Sequence, residues 1–480
     1  MRFATFLRLL AFGLALSLCA NDIQGAALSN IDLRSDKAYW FDQPVDHFGK
    51  SPSIWKQQYL VNATFYRPGG PIYITTPGEN PASNSYTDQT HFTQLAKSTG
   101  GLLVNIEHRF FGKSNPMTNL SGSSLRFLTI ENVLEDFAAF TRAAKYHPSS
   151  VFPTPVSSNS KIIFGGGSYA GNIAAWMRAK YPDLVLGAWA SSAIVYARLL
   201  YYQFDLSFGR HLEALGCAKQ FSQAVQQADV VLLSGNVSAL ADLQSQFGLP
   251  TGLSARDTAG LLAFLSTAYS MQAVSKTIDR VDQGVCAFFR DSSSTTPLQS
   301  YAASVKAVIE SNRMTLDYLA QTGNSSYGID DYTLGQIGRV WYYMECTWFG
   351  NWQVAPPPNT GLTGYRSQLV DQSYFEPNCK KKFGDNIPTP VNVQKYNDKW
   401  VRPLERSSNI YYTSGSLDIW QDATVATSSG NLISSTSKSP IVLIEGATHV
   451  QDLRTDRPDD LDSVIKARQI GDALVAKWLK

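Results

Sequence analysis

The stretch Lys161–Pro182, KIIFGGGSYAGNIAAWMRAKYP, decides how the rest of the chain is read. Ile162-Ile163-Phe164 is a short apolar run of the kind that forms a buried strand, and Gly165-Gly166-Gly167 follows as a corner. A helical pattern starts at about Ala170, carries Ile173, Ala174 and Met177 at spacings of three and four, and stops at Tyr181-Pro182. Ser168 therefore sits where a strand turns sharply into a helix, among residues without bulky side chains. That is the layout of a nucleophile elbow, in which strained backbone lifts a hydroxyl clear of the sheet. The usual pattern is G-x-S-x-G, and here Ala170 stands at the last position. A plain turn with a satisfied serine, or a dinucleotide loop of the type Gly165-x-Gly167-x-x-Ala170, fits the same letters. The remaining chain has to discriminate.

Working outward, Gly70–Asn80 holds an apolar β-rich run that ends in a Pro-Gly turn, Gly101–Arg109 is a near-continuous apolar run, and a helical stretch around His91–Lys97 lies between them. Strand–helix–strand units of this kind build a parallel sheet. Glu131–Tyr146 presents Val133, Leu134, Phe137, Phe140 and Ala144 on one helical face, and Leu184–Ala190 reads as another buried strand. Trp55–Tyr66 reads as a strand pair or a long edge strand with Gln57, Tyr59 and Val61 on one side. His47, beside Asp46, is expected to be a structural histidine.

From 197 to 395 the texture is helical, with aromatic clusters. The expected helices are Ala197–Leu215, Gln220–Leu233, Thr258–Ser275 and Leu298–Thr322. Sheet texture returns with Ser408–Gly415 and Pro440–Ala447, and a helix over Leu461–Leu479 closes the chain. The expected fold class is α/β: an α/β-hydrolase core with a mostly helical cap inserted after the nucleophile half. The expected boundaries are 1–26 for a signal peptide, 27–196 and 396–480 for the two parts of the core, and 197–395 for the cap.

Such a core needs its catalytic groups at strand C-termini in the chain order serine, acid, histidine. Ser168, Asp418 and His449 supply that order, each after a buried strand. His449 would act as general base and Asp418 would hold its tautomer. Asp422 and Asp452 are the alternative acids. The oxyanion would be met by the Tyr169 N–H and by an N–H at Gly78-Glu79, after the strand that ends Thr76-Pro77. The dinucleotide reading loses ground, because no acidic residue ends the next strand where a ribose would sit.

Composition bounds the rest. The 480 residues carry 41 Lys and Arg against 39 Asp and Glu, a formal charge of +2, which gives no electrostatic footprint for nucleic acid. Arg2 and Arg8 with the apolar run Leu9–Leu18 read as a secretory signal, cleaved between Cys19 and Ala27. No later run is long and apolar enough for a membrane span. Without Cys19, the cysteines are Cys217, Cys286, Cys346 and Cys379, an even set that suits two disulfides, sequential pairing being preferred of the three possibilities. Their spacing forms no C-x-x-C zinc motif, and no metal or cofactor is expected. Sequons at Asn62, Asn119, Asn236 and Asn324 are candidate glycan acceptors.

The chain resembles the secreted and lysosomal proline-specific serine peptidases, a family that includes lysosomal Pro-Xaa carboxypeptidase, dipeptidyl peptidase II, thymus-specific serine protease and the fungal acid prolyl endopeptidases. The resemblance rests on VDHF at Val45–Phe48, GPIYITTPGEN at Gly70–Asn80, EHRFFGKSNP at Glu107–Pro116 and LRFLTIENVLEDFA at Leu125–Ala138. It continues through GGSYAGNIAAW at Gly166–Trp176, SGSLDIW at Ser414–Trp420 and GATHVQDLR at Gly446–Arg454. It departs at Ala170, where the family usually has Gly or Ser, and at Thr448–Gln451, where a paired histidine is replaced and one residue is added.

The resemblance implies that the nucleophile, acid and histidine fall on Ser168, Asp418 and His449, and that cleavage follows proline. It also implies a secreted protein or one in a lysosomal or vacuolar lumen, acting on proline-containing peptides, with a homodimer compatible. An aromatic box would suit the flat pyrrolidine ring. Trp420 is the first candidate, with Trp348 and Phe349 in the cap behind it, and Glu79 would meet a free substrate amine if N-terminal dipeptides are removed. An esterase or lipase of the same fold, or a hydrolase-fold binding protein without catalysis, are the alternatives.

Overall fold

The computed structural model describes residues 37–49, 52–268, 285–290, 295–311, 313–316, 319, 331–385, 387, 390–427, 430 and 432–480. The expected signal peptide, Asn324 and the C-terminal parts of the helices expected over Thr258–Ser275 and Leu298–Thr322 lie outside these residues. The chain divides into two units, 198–332 with 341–393, and a second one whose described part comprises 37–197, 333–340 and 394–480.

The second unit is built on an eight-stranded sheet. Its strands are β1 (Tyr39–Pro44), β2 (Ile54–Asn62), β3 (Ile72–Thr75), β4 (Leu102–Ile106), β5 (Ile162–Gly167), β6 (Gly187–Ser191), β7 (Ile410–Gly415) and β8 (Ile441–Ile444). They lie in the order β1-β2-β4-β3-β5-β6-β7-β8. β2 is antiparallel to β1 and β4, and the remaining pairs are parallel. This order, with one reversed strand near the start and helices over the parallel part, is the α/β-hydrolase sheet. Strands β3, β4, β6 and β7 are buried at every position, which is why they read as unbroken apolar runs rather than alternating ones.

Four helices of this unit support or flank the site: α1 (His91–Thr99), α2 (Ile130–Tyr146), α3 (Tyr169–Lys180) and α4 (Asp462–Leu479). Thr129 caps α2 by accepting the Asn132 N–H. Val133, Leu134, Phe137, Phe140 and Ala144 are all fully buried, so the face expected from the spacing is the face that packs. At about 1.5–3 kcal/mol for each large apolar side chain, that burial holds the helix far more firmly than propensity does.

Two expectations need correction. Trp55–Tyr66 is neither a hairpin nor an edge strand. Its strand β2 runs from Ile54 to Asn62 inside the sheet, because β1, in a segment with no clear strand signal, takes the edge. Gln57 is fully buried there, donating to the Glu107 carbonyl and accepting from Gln43. The glycines before Ser168 are not the corner either, since β5 continues through Gly167. They are glycines because other chain segments approach too closely for a side chain. A Cβ on Gly165 would lie 1.9 Å from the Phe92 ring, one on Gly166 2.3 Å from the Ala170 carbonyl oxygen, and one on Gly167 2.3 Å from Val450 Cγ1.

The motif Glu107-His108-Arg109 leaves β4 in three directions. Arg109 is fully buried and paired with Asp136 of α2, Nε to Oδ2 at 2.5 Å, while its Nη1 donates to the carbonyls of Val45 and Phe127. His47 reaches the same carboxylate, Nε2 to Oδ1 at 2.7 Å, and its role is structural. Removing one partner of such a buried pair strands a charge, which costs about 3–5 kcal/mol.

In the other unit a short parallel pair, Arg198–Leu200 with Gly350–Trp352, accompanies helices that include Gln203–Ala214, Ala218–Leu232, Val237–Gln246, Ala255–Ala263, Pro297–Ser311 and Gln372–Phe383. The segment expected to be helical from Ala197 thus begins as strand. Disulfides join Cys217 to Cys286 and Cys346 to Cys379. Among the described residues no helix is long and apolar enough to cross a membrane.

Gly165→Ala tests the packing account of the glycines. The added methyl has to displace the Phe92 ring, and the variant is expected to lose about 1–3 kcal/mol in equilibrium denaturation. In a Phe92→Ala background the same substitution should cost less than it does in the parent, because the obstacle is then gone.

Candidate active site

Ser168 is the residue that carries the strain of the strand-to-helix corner. Its backbone is at φ 58°, ψ −131°, a region in which non-glycine residues are rare. Two sets of bonds hold it there. Its N–H donates to the Ser191 carbonyl at 2.9 Å, and its own carbonyl accepts the N–H groups of Gly171 and Asn172 at 2.9 and 3.2 Å. The side chain is half-buried at the N-terminus of α3, where helix amides favour negative charge.

Asp418 follows β7 and His449 follows β8. His449 Nδ1 lies 2.9 Å from both Asp418 oxygens. A carboxylate can only accept, so Nδ1 carries a proton, and in the neutral ring Nε2 holds the lone pair. The Trp420 N–H donates to Asp418 Oδ1 at 2.9 Å, which fixes the carboxylate rotamer. Asp418 is 1% exposed and the His449 side chain 17%, a dry acid behind a partly accessible base. The loop carrying His449 lies against the elbow itself, because Val450 is the residue that a Cβ on Gly167 would strike. Asp452, an alternative acid, is engaged elsewhere, accepting from Trp189, Ser191 and Thr413.

The loop after β3 approaches the same helix end. Gly78, at φ 63°, sits so that a Cβ would be 3.3 Å from the Ala170 nitrogen and 3.5 Å from Ala170 Cβ. The Gly78 N–H donates to Thr76 Oγ1 at 3.2 Å. Glu107 secures the far side of this loop, accepting the N–H groups of Ala82 and Lys113 at 2.8 and 2.9 Å. His108 secures Tyr169. Its Nδ1–H donates to the Arg109 carbonyl at 2.7 Å, so its Nε2 accepts the Tyr169 hydroxyl at 3.0 Å. Burial pushes His108 down to about 4, which keeps it the neutral acceptor this bond requires.

Glu79 is the unusual charge. It is 9% exposed, and burial pushes its carboxyl up to about 7, against the opposing pull of its own backbone N–H and of His449. It is a titrating group beside the histidine that the serine motif gives no hint of.

The other expected residues fall as follows. Trp420 is half-buried next to Asp418. Trp348 and Phe349 belong to the other unit, at 8% and 1% exposure; Phe349 packs on Trp341 with centroids 5.3 Å apart and on Trp348 at 6.3 Å, which is a core arrangement. Asn119 and Asn236 are exposed, and both use Oδ1 to accept local N–H groups. Asn62 spends its Nδ2, the atom a glycan would take, on Asp88 Oδ1 at 2.7 Å. Among the described residues no group of three or more His, Cys, Asp or Glu side chains is placed to hold a metal ion.

Sheet order, elbow and a histidine–aspartate pair after the last two strands define a hydrolase of the α/β class. Residues 43–470 match the family model described as Serine carboxypeptidase S28, and the chain belongs to that family of peptidases. It is similar to Serine protease vicPb of Bipolaris victoriae, 28% identical over 92% of this chain and 88% of that one. It is also similar to the mouse Thymus-specific serine protease, 28% identical over 92% and 88% of the two chains. The Probable extracellular serine carboxypeptidase of Arthroderma benhamiae is 25% identical over 92% of this chain and 68% of its own.

The raised Glu79 makes a prediction with a definite sign. Its folded form holds a proton more tightly than the unfolded chain does, so its contribution to stability is full below about pH 4.5 and is lost as pH rises through about 7. Glu79→Gln removes that dependence. Between about pH 4 and pH 8, the variant's stability relative to the parent should rise by roughly 3 kcal/mol, at about 1.4 kcal/mol per tenfold change in proton affinity. Urea denaturation at the two pH values measures the difference.

Proposed function

We propose that the protein is a secreted serine peptidase that cleaves on the carboxyl side of proline through Ser168, His449 and Asp418. The observation that carries the reading is the His449–Asp418 pair, Nδ1 at 2.9 Å from both oxygens, on a loop that packs directly against the residue before Ser168. With Nδ1 protonated and Asp418 ionised, Nε2 is the base. It takes the Ser168 proton as Oγ attacks the scissile carbonyl, and returns it to the leaving amine. An acyl-enzyme forms at Ser168, and water activated by the same nitrogen releases it.

The tetrahedral oxyanion would be met at the N-terminus of α3 by the Tyr169 amide and from the β3 loop by the Glu79 amide. The carboxylate of Glu79 bonds its own N–H. That bond weakens on protonation, which favours the donor role at acidic pH. Trp420 offers a flat apolar face beside Asp418 for the proline ring; proline specificity rests on that residue and on the resemblance of the EHRFFGKSNP, GGSYAG and SGSLDIW segments. Secretion rests on the leader-like start, the disulfides and the extracellular relative.

Steady-state kinetics on a proline-anilide peptide test the assignment. Ser168→Ala and His449→Ala should each lower kcat by roughly four to six orders of magnitude, and the double variant should lose little more, because the groups act as a unit. Asp418→Asn should cost about 10⁴-fold through the wrong tautomer. Losses that multiply in the double variant contradict the triad. Hydrolysis of simple acyl esters with no cleavage of proline peptides supports an esterase instead.

A further inference from the structure

The loop between Gly446 and Arg454 does more than end in a histidine. Gly167, Ser191 and Thr413 form one register row across β5, β6 and β7, and the Ser168 N–H is bonded to the Ser191 carbonyl. The loop touches every member of that row. Val450 rests on Gly167, where a Cβ would meet its Cγ1 at 2.3 Å. Asp452, 1% exposed, accepts the hydroxyls of Ser191 at 2.5 Å and Thr413 at 2.7 Å, and the Trp189 indole N–H at 2.9 Å.

Between these anchors the backbone is forced. Val450 is at φ 58°, which a β-branched residue adopts only when its surroundings over-determine it. Its N–H donates to Ser192 Oγ at 3.0 Å, and the Ser192 N–H donates in turn to the Thr413 carbonyl. On the outer side, Arg468 of α4 donates to the carbonyls of Gln451, Asp452 and Arg454. Gln451 Oε1 takes the Thr448 N–H at 2.9 Å.

We propose that Asp452 is a positioning residue for the reaction: it keys the histidine loop to the strand row that supports Ser168, and so sets His449 Nε2 against the Ser168 hydroxyl. The carboxylate is suited to this because it accepts three bonds without needing a proton, and these bonds come from Trp189, Ser191 and Thr413 rather than from His449 or Ser168. A neutral side chain would leave one donor unmatched and let the loop relax out of the left-handed turn. The proposal rests on His449 being the base.

The test compares Asp452→Asn with the parent, each with and without His449→Ala, using a proline-anilide peptide and an activated acyl ester. Asp452→Asn is expected to lower kcat by about 10- to 100-fold with KM within about twofold, the size of effect that a small misplacement of a catalytic group produces. In the His449→Ala background it should cause no further loss of the residual ester rate, because there is nothing left to position. A folded Asp452→Asn with parental kcat overturns the proposal, as does an equal loss in the background lacking His449. If His449→Ala itself keeps parental activity, the base assignment fails, and the positioning role with it. Should Asp452→Asn fail to fold, Thr413→Val removes one of the donors to the Asp452 carboxylate at nearly constant volume. It is expected to lower kcat several-fold at constant KM, and an unchanged kcat then overturns the proposal.

Discussion

Ser168 can hold a left-handed backbone only because three other pieces of chain come closer to its strand than any side chain would allow. Phe92 lies on Gly165, the first turn of α3 on Gly166, and Val450 on Gly167. The constraint is steric before it is chemical. A strand tip with no side chains lets a helix, a core aromatic and the histidine loop converge within van der Waals distance. The polar bonds from Ser191, Gly171 and Asn172 then fix what the packing permits.

From that tip the rest of the site is held by a series of supports. β4 is followed by Glu107-His108-Arg109, and each side chain holds a different component. Glu107 holds the loop carrying Glu79, His108 holds Tyr169 beside the nucleophile, and Arg109 ties α2 to the N-terminal segment. The groups assigned to the chemistry are therefore short-range, while their placement depends on buried polar networks around them. Such networks rigidify a site when complete and are costly when one member is lost.

Much of this was legible in the letters. The strands that read as continuous apolar runs are buried on both faces, and the order serine, acid, histidine after buried strands pointed to the Asp418 and His449 that the fold brings into contact. The edge strand was not legible, because Tyr39–Pro44 alternates weakly and pairs only with β2. Nor was the reason for the glycines, which depends on Phe92 and Val450, residues far from Gly165 and Gly167 in the chain. The proton affinity of Glu79 and the anchoring by Asp452 were hidden for the same cause. Both arise from burial and from partners brought together by the sheet, and no local pattern encodes them. Ala170, a departure from the family pattern when read in sequence, lies against the Gly78 turn.

In the proposed mechanism His449, held by Asp418, activates Ser168. The most direct measurement of this is covalent labelling with a peptidyl organophosphonate bearing proline, followed by mass-spectrometric mapping of the modified residue. A single phosphonylated position at Ser168 is expected in the parent, with labelling slowed by orders of magnitude when His449 is replaced by alanine. A label on another serine, or the same rapid labelling of Ser168 without His449, would contradict the mechanism.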